Sequence, residues 1–143
     1  MSKGNTFETD LLALIFNGTA IANLADNAAS SPLTSLYLAF HTADPGEGGS
    51  QTTSEISYTG YARKAVARSS GQFSVSGNTA TTVNDQDTGA SSGGTGGTIT
   101  HFSFGTASSG TGKILYSGTV TPNIVVASGV TPILKAGSTI TED

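Results

Sequence analysis

From Ser35 onward the sequence consists of short apolar segments, each interrupted by glycine, proline or a Ser-Gly pair. The first segment alternates with a period of two, which places Leu36, Leu38 and Phe40 on one face of a strand and Ala39 and His41 on the other. Regularly spaced short strands between turn residues are typical of antiparallel β-proteins. The pattern therefore predicts a mostly β fold, either an antiparallel jelly roll or a β-sandwich.

Further strands are predicted along the rest of the chain. "QFSVSGNTATTV" predicts a hairpin that turns at residues 76–78, and a proline opens each of two segments, "NIVVA" and "ILKAG". Residues 87–98, "DTGASSGGTGGT", contain no apolar side chain larger than alanine, so we expect a flexible, exposed Gly-rich loop there. The other predicted strands lie in "YARKAVARS", "THFSFGT", "KILYSGTV" and "STIT".

One segment carries helix signals instead. Asn5 and Glu8 have the spacing of a capping box, and Gly18 follows the last apolar residue, which predicts one short N-terminal α-helix over about 6–17. Its apolar residues cover nearly half of the helix circumference: Phe7, Leu11, Leu12, Leu14, Ile15 and Phe16. An apolar face this wide must be buried against another part of the protein or another subunit. We expect it to pack on its own sheet rather than across a dimer axis.

Length and composition limit the class of protein. The chain has 143 residues, which predicts a single domain over 1–143 that can bury a core without disulfides. Only 11% of the residues are charged, against roughly 25% in typical globular domains. Small neutral surfaces cost little to desolvate under another protein, which favours an assembly subunit over a freely diffusing enzyme. With no cysteine, the chain has no thiolate nucleophile and no cysteine-ligated zinc.

The charges and the apolar segments also argue against two kinds of partner. The net charge is -4 with six basic residues, so we expect no nucleic-acid partner. Arg63, Lys64 and Arg68 lie close together in sequence, but we interpret them as a solvated or ion-paired strand. "LLALIF" is much shorter than the roughly 20 residues of a membrane span, so we expect no membrane partner and no secretory signal.

Residues 108–113, "SSGTGK", partly resemble a phosphate-binding loop. Ala107 stands where the first motif glycine belongs, and Ile114 replaces the magnesium-binding Ser or Thr. The following residues, "ILYSGTV", favour a strand where the motif requires a helix. We therefore interpret this segment as a hairpin turn.

The remaining candidates for chemistry lack partners. "DQDTG" resembles half of a calcium loop, so Asp85 and Asp87 either hold a weak surface cation or bond local amides in a turn. His41 is followed by Asp44 and Glu47 in "HTADPGEGG", but no established catalytic spacing is met. We predict no enzyme activity and no cofactor, and we interpret this segment as a rim loop available for contact.

Three stretches carry a resemblance over nearly the whole chain: "LYLAFHTADPG", "SYTGYARKAVARS" and "FSFGTASSGTGKILYSG". They resemble small virion proteins of tailed phages that are described as tail-fibre proteins or as capsid cement (decoration) proteins, including the cement protein of a short-tailed Bordetella phage. The resemblance implies a jelly-roll subunit, a homodimer, on the outer surface of the capsid. It would bind the major capsid protein and cement its neighbouring copies.

Six residues are the expected capsid or subunit contacts: Phe7, His41, Asp44, Glu47, Tyr58 and Tyr61. A tail-fibre or receptor-binding adaptor protein of the phage tail is the alternative function. A carbohydrate-binding module is a third possibility, in which Tyr58 and Tyr61 of "SYTGY" would stack on a sugar ring. Packing is the commoner role of such tyrosines.

Overall fold

The computed structural model describes residues 5–21 and 32–142. The predicted fold class is confirmed, because the chain is mostly β, with antiparallel sheets and one short N-terminal helix, consistent with a β-sandwich. It groups into two compact units, which we call the first and second units. The first holds the described residues up to Ser35, with 67–85 and 135–142, and the second holds 36–66 and 86–134. That these form a single domain stays a prediction.

Helix α1 spans Asn5–Leu12 and continues as a π-helical turn, Ala13–Asn17. The strands, in chain order, are β1 Ser35–His41, β2 Lys64–Ala67, β3 Phe73–Ser76, β4 Thr79–Thr82, β5 Gln86–Asp87, β6 Gly97–Gly105, β7 Ile114–Val126, β8 Ile133–Leu134 and β9 Thr139–Thr141. No helix among the described residues is long and apolar enough to cross a membrane.

The helix of the first unit packs on the unit's own sheet, as predicted. Leu12 and Phe16 are fully buried, and the Phe16 ring lies 4.7 Å from that of Phe73 in β3. The buried residues of the helix, Glu8, Leu12 and Phe16, are spaced four residues apart, whereas Phe7 is 40% exposed. The predicted apolar stripe is thus corrected, since it includes Phe7 and leaves out Glu8. An apolar arc that covers nearly half of the helix does not by itself determine which side packs on the sheet.

Both ends of the helix can be compared with the prediction. Asn5 already lies inside α1, so it does not occupy the capping position expected for it. Residues before it lie outside the described part of the chain. At the other end Gly18 is left-handed, with φ of 66°, and its N–H donates to the Ala13 carbonyl. The Arg68 guanidinium adds hydrogen bonds to the Ile15 carbonyl at 2.6 Å and to the Leu14 carbonyl, so it satisfies acceptors that the helix end leaves open.

The predicted hairpin forms the sheet of the first unit. Strands β3 and β4 pair from Phe73 opposite Thr82 to Ser76 opposite Thr79, which leaves residues 77–78 as the turn. Gly77 has φ of 56°, a conformation that favours glycine in a two-residue hairpin. Strand β9 pairs with the other side of β4 and completes a three-stranded sheet.

The second unit contains a four-stranded sheet in the order β2-β1-β6-β7. Strands β1 and β6 pair with Leu38 opposite Phe104 and Phe40 opposite Phe102. Alternation predicted β1 correctly, but Ala39 and His41 are buried as well. His41 is hydrogen-bonded to the Thr53 carbonyl and to Ser103 Oγ, so the second face of β1 is also covered by protein at this position.

Strand β7 corrects the prediction of two separate strands divided by Pro122. It is one strand of 13 residues, and Pro122 lies inside it. Thr119 pairs with His101 and Ile124 with Ile99, so residues 120–123 form a bulge opposite β6. A proline at a bulge removes no ladder hydrogen bond, which explains why the strand continues through it.

The predicted loop 87–98 contacts other parts of the second unit. Its first residue ends β5 and its last two begin β6, while Thr88 and Ser91 are buried. The Ser91 N–H donates to the Val130 carbonyl at 2.8 Å. At Gly89 a Cβ atom would lie 2.3 Å from the Gly60 carbonyl oxygen, so glycine allows this close packing. The prediction of an exposed loop is thus confirmed for six of the twelve residues and wrong for Thr88 and Ser91, and flexibility stays a prediction.

Candidate functional site

A buried ion pair lies at the start of β2. Arg63 directly precedes the strand, and its side chain is 2% exposed, while that of Glu55 is 16% exposed. The Arg63 Nε and Nη2 atoms donate to Glu55 Oε1 and Oε2, each at 2.7 Å. Two parallel charge-assisted bonds fix both the distance and the orientation of the guanidinium.

Arg63 also binds the loop between β6 and β7. Its Nη1 donates to the Ala107 carbonyl at 3.0 Å, and its Nη2 donates to the Gly110 carbonyl at 2.8 Å. The loop joins two antiparallel strands, so the hairpin interpretation of residues 108–113 is confirmed. In a phosphate-binding loop the backbone N–H groups would face the ligand, whereas two carbonyls of this loop face a cation.

Gln51 supports the same loop from inside. It is fully buried, its Nε2 donates to the Tyr37 carbonyl at 2.9 Å, and its Oε1 accepts from the Ala107 N–H at 3.1 Å. A Cβ atom at Gly105 would lie 2.2 Å from Gln51 Cδ, and one at Gly112 would lie 2.1 Å from its Oε1. The two glycines thus provide the space that the Gln51 side chain occupies.

Tyr61 joins the ion pair, and Tyr58 packs beside it. The Tyr61 hydroxyl donates to Glu55 Oε1 at 2.7 Å, and its ring meets that of Tyr58 edge-on at 5.3 Å. Tyr58 is 6% exposed and its hydroxyl donates to the Gly89 carbonyl at 2.9 Å, which is a packing role. Burial and the bond to Glu55 raise the pKa of Tyr61, and the bond to Glu55 raises the pKa of Arg63. The phenol therefore stays neutral and the guanidinium charged at physiological pH.

An open pocket of about 270 Å³ lies against this cluster. Its lining combines one carboxylate, one guanidinium, a phenol and an exposed loop: Glu55, Tyr61, Ala62, Arg63, Ser108, Ser109 and Gly110. The two formal charges oppose each other, so the pocket is polar without net charge. We call it the Glu55 pocket. Among residues 5–21 and 32–142, no group of three or more His, Asp or Glu side chains could hold a metal ion.

His41 does not lie on the predicted contact rim. It is fully buried, with Nδ1 2.9 Å from the Thr53 carbonyl and Nε2 2.8 Å from Ser103 Oγ. A carbonyl only accepts, so Nδ1 carries the proton and Nε2 accepts from the Ser103 hydroxyl. Burial lowers the pKa of His41, with smaller opposing contributions from Thr53 and Glu55. The side chain offers no surface to a partner, because it is fully buried and both ring nitrogens are hydrogen-bonded within the protein.

The structure does not bring the other predicted contact residues together at one site. Asp44 and Glu47 are exposed, and Asp44 Oδ1 accepts from the Gly46 N–H at 2.9 Å, which is the expected turn chemistry. Phe7 is exposed but belongs to the first unit. Only Tyr58 and Tyr61 come together. The sequence interpretation missed Glu55 and Arg63 as partners, since the groups that complete their site are backbone carbonyls and leave no sequence signal.

The two aspartates considered for a cation are bonded to protein groups. Asp85 pairs with Lys135 Nζ at 2.7 Å and accepts from the Ala136 N–H at 2.8 Å. Asp87 accepts from the Gly89 N–H at 3.2 Å and lies 3.9 Å from Lys64 Nζ. The Asp87 contact matches the turn alternative, whereas Asp85 is bonded to groups about 50 residues away in the sequence rather than to local amides. With Arg63 paired to Glu55, the contact between Lys64 and Asp87 also confirms the ion-paired interpretation of the basic stretch for Arg63 and Lys64.

Fold and site together define a β-structured protein that holds its loops by a buried ion pair and presents small polar surfaces. The sequence matches the family described as Podophage GP4 fiber I protein gp80 over residues 2–142. The chain belongs to this family and is a phage structural protein, a component of the virion. No curated protein matches the chain.

Proposed function

We propose that this chain is a structural subunit of a podophage tail fibre, the alternative function that the sequence predicts. The observation that carries the proposal is the family match, which covers residues 2–142 and bears the description of a fibre protein. The proposed role is non-enzymatic and requires no cofactor, no nucleic acid and no membrane.

The edge of the four-stranded sheet supports assembly with other chains. Strand β7 ends the sheet, and within the described residues it pairs only with β6. Its sequence, "ILYSGTVTPNIVV", contains no charged residue, and Val125 is 67% exposed. Natural proteins protect such edges with lysine, proline or bulges, and β7 has Pro122 and a bulge but no charge, so the uncharged stretches on either side of the bulge favour pairing with another strand. A second copy of this chain, the predicted homodimer partner, is one strand donor of suitable chemistry.

A capsid cement protein on the outer surface of the shell is the second proposal. The low content of charged residues, 11%, supports broad neutral contacts with the major capsid protein. Cement contacts are individually weak and gain strength from the many copies in a shell. The family description favours the fibre over this role.

Copy number separates the two proposals. The experiment is quantitative mass spectrometry of purified virions, with this chain measured against the major capsid protein. A fibre predicts a ratio of a few copies per hundred. A ratio near one, or another simple fraction set by shell symmetry, would refute the fibre and support cement. Heads separated from tails provide the control, since they should lose a fibre protein and retain a cement protein.

A further inference from the structure

The lining of the Glu55 pocket includes hydroxyl groups and an aromatic ring that are not needed to anchor the loop. We propose that the pocket binds one ring of a neutral saccharide, with Glu55, Tyr61 and the serines of the 106–113 loop as the contacting groups. The proposal rests on the fibre role proposed above, in which a host surface would supply the sugar. A saccharide carries many hydroxyl groups and apolar C–H faces, and the pocket matches both.

Charge narrows the class of ligand. Arg63 donates four of its five N–H groups to Glu55 and the loop, and its side chain is 2% exposed. A phosphate or sulfate would therefore find at most one unused N–H on a buried guanidinium, which is too little for the paired contacts that such anions form with arginine. The Glu55 carboxylate is already neutralised by Arg63, so a cation gains little there. A neutral ligand that forms hydrogen bonds remains.

Hydrogen-bonding capacity favours a polyol. Glu55 Oε1 accepts from both Tyr61 and Arg63, while Oε2 accepts from Arg63 Nη2. A carboxylate offers about four lone-pair sites, so Oε2 retains capacity for a ligand hydroxyl. The exposed hydroxyls of Ser108 and Ser109 can each donate and accept, as neighbouring sugar hydroxyls require.

The size and rigidity of the Glu55 pocket suit a single sugar ring that binds weakly. The pocket volume of about 270 Å³ falls just below the roughly 300–1,000 Å³ of pockets for drug-sized ligands. The half-buried Tyr61 ring adds an apolar surface. Arg63 and Gln51 hold the loop in place before binding, which lowers the ordering cost. We expect a Kd on the order of 1 mM for one pocket, which repeated copies would strengthen.

The test is a two-dimensional amide NMR titration of the full chain with glucose, galactose, N-acetylglucosamine and rhamnose. At about 100 mM sugar, at least one should shift the amides of Tyr61 and residues 108–110, with a Kd on the order of 1 mM. Ser109→Trp should fill the pocket and abolish the shifts. Ser128→Trp, at another exposed serine of the second unit, is the matched control and should retain them.

Three results would overturn the proposal. They are the absence of shifts with all four sugars, equal shifts in Ser109→Trp, or a preference for sodium phosphate over every sugar. The amide spectrum of each variant also reports whether it is folded. The proposal and the fibre role fail separately, because copy number in the virion tests the fibre whether or not the isolated chain binds sugar.

Discussion

Glu55→Gln should destabilise the second unit strongly while it preserves side-chain volume. The variant leaves the Arg63 guanidinium buried, with only the Ala107 and Gly110 carbonyls and a neutral amide as partners. Removing one member of a buried ion pair costs about 3–5 kcal/mol. Glu55 is 16% exposed, which places the expected loss in the free energy of unfolding at the lower end, about 3 kcal/mol.

Tyrosine fluorescence during urea unfolding measures this loss selectively. The chain has no tryptophan, and its four tyrosines, Tyr37, Tyr58, Tyr61 and Tyr116, all belong to the second unit. With a urea dependence of about 1–3 kcal/mol per molar, a loss of 3 kcal/mol lowers the midpoint by roughly 1–3 M.

Lys64→Ala provides the control. It breaks the contact with Asp87, which spans 3.9 Å between side chains that are 41% and 50% exposed. Pairs of this kind contribute about 0–1 kcal/mol, so its midpoint should barely move. If Glu55→Gln shifts the midpoint no more than Lys64→Ala does, the buried pair does not stabilise this unit and the reasoning is refuted.

Three further predictions concern pH, packing and assembly. Because burial lowers the pKa of His41 below the ordinary value of 6.5, the unfolded chain takes up the proton first as pH falls, so stability should drop below about pH 6.5. His41→Gln should reduce this drop in urea midpoints measured between pH 7.5 and 5.5, and an unchanged drop would contradict the assignment. Gly105→Ala forces a Cβ to within 2.2 Å of Gln51 and should cost about 1–3 kcal/mol, whereas Gly48→Ala, with open space around it, should be neutral; equal midpoints would disprove the packing argument. Val125→Lys should weaken self-association in sedimentation velocity without lowering stability, since Val125 is 67% exposed, and a wild-type chain that stays monomeric would exclude the β7 edge as a homodimer contact.

The parts of the fold that the sequence predicts are those decided by neighbours along the chain. Alternation at Leu36, Leu38 and Phe40 predicts β1, and the Ser-Gly-Asn turn predicts the β3–β4 hairpin. Both signals are local, because side-chain period and turn conformation depend on adjacent residues. Strand β5 has only two residues and is too short to carry a period, whereas β8 is indicated by the proline that opens "ILKAG".

The candidate site depended on contacts that sequence patterns do not encode. Arg63 reaches Ala107 and Gly110 through their carbonyls, which every residue type possesses. His41 looked like a rim residue beside an acidic loop, yet its neighbours in space are Thr53 and Ser103. Only the pairing of β1 with β6 and with the 50–56 segment brings these groups together.

The bulge in β7 limits the length of any strand that adds to this edge. Together with a second register shift between Ile114 and Tyr116, it leaves Tyr116–Thr119 and Ile124–Val126 as regular stretches, so the longer one has four residues. At about 3.3 Å per residue, an added strand can run for only roughly 13 Å before its register is broken. An assembly that grows from this edge would therefore rely on many short joints, and its mechanical strength would depend on the number of subunits joined more than on the strength of any one joint.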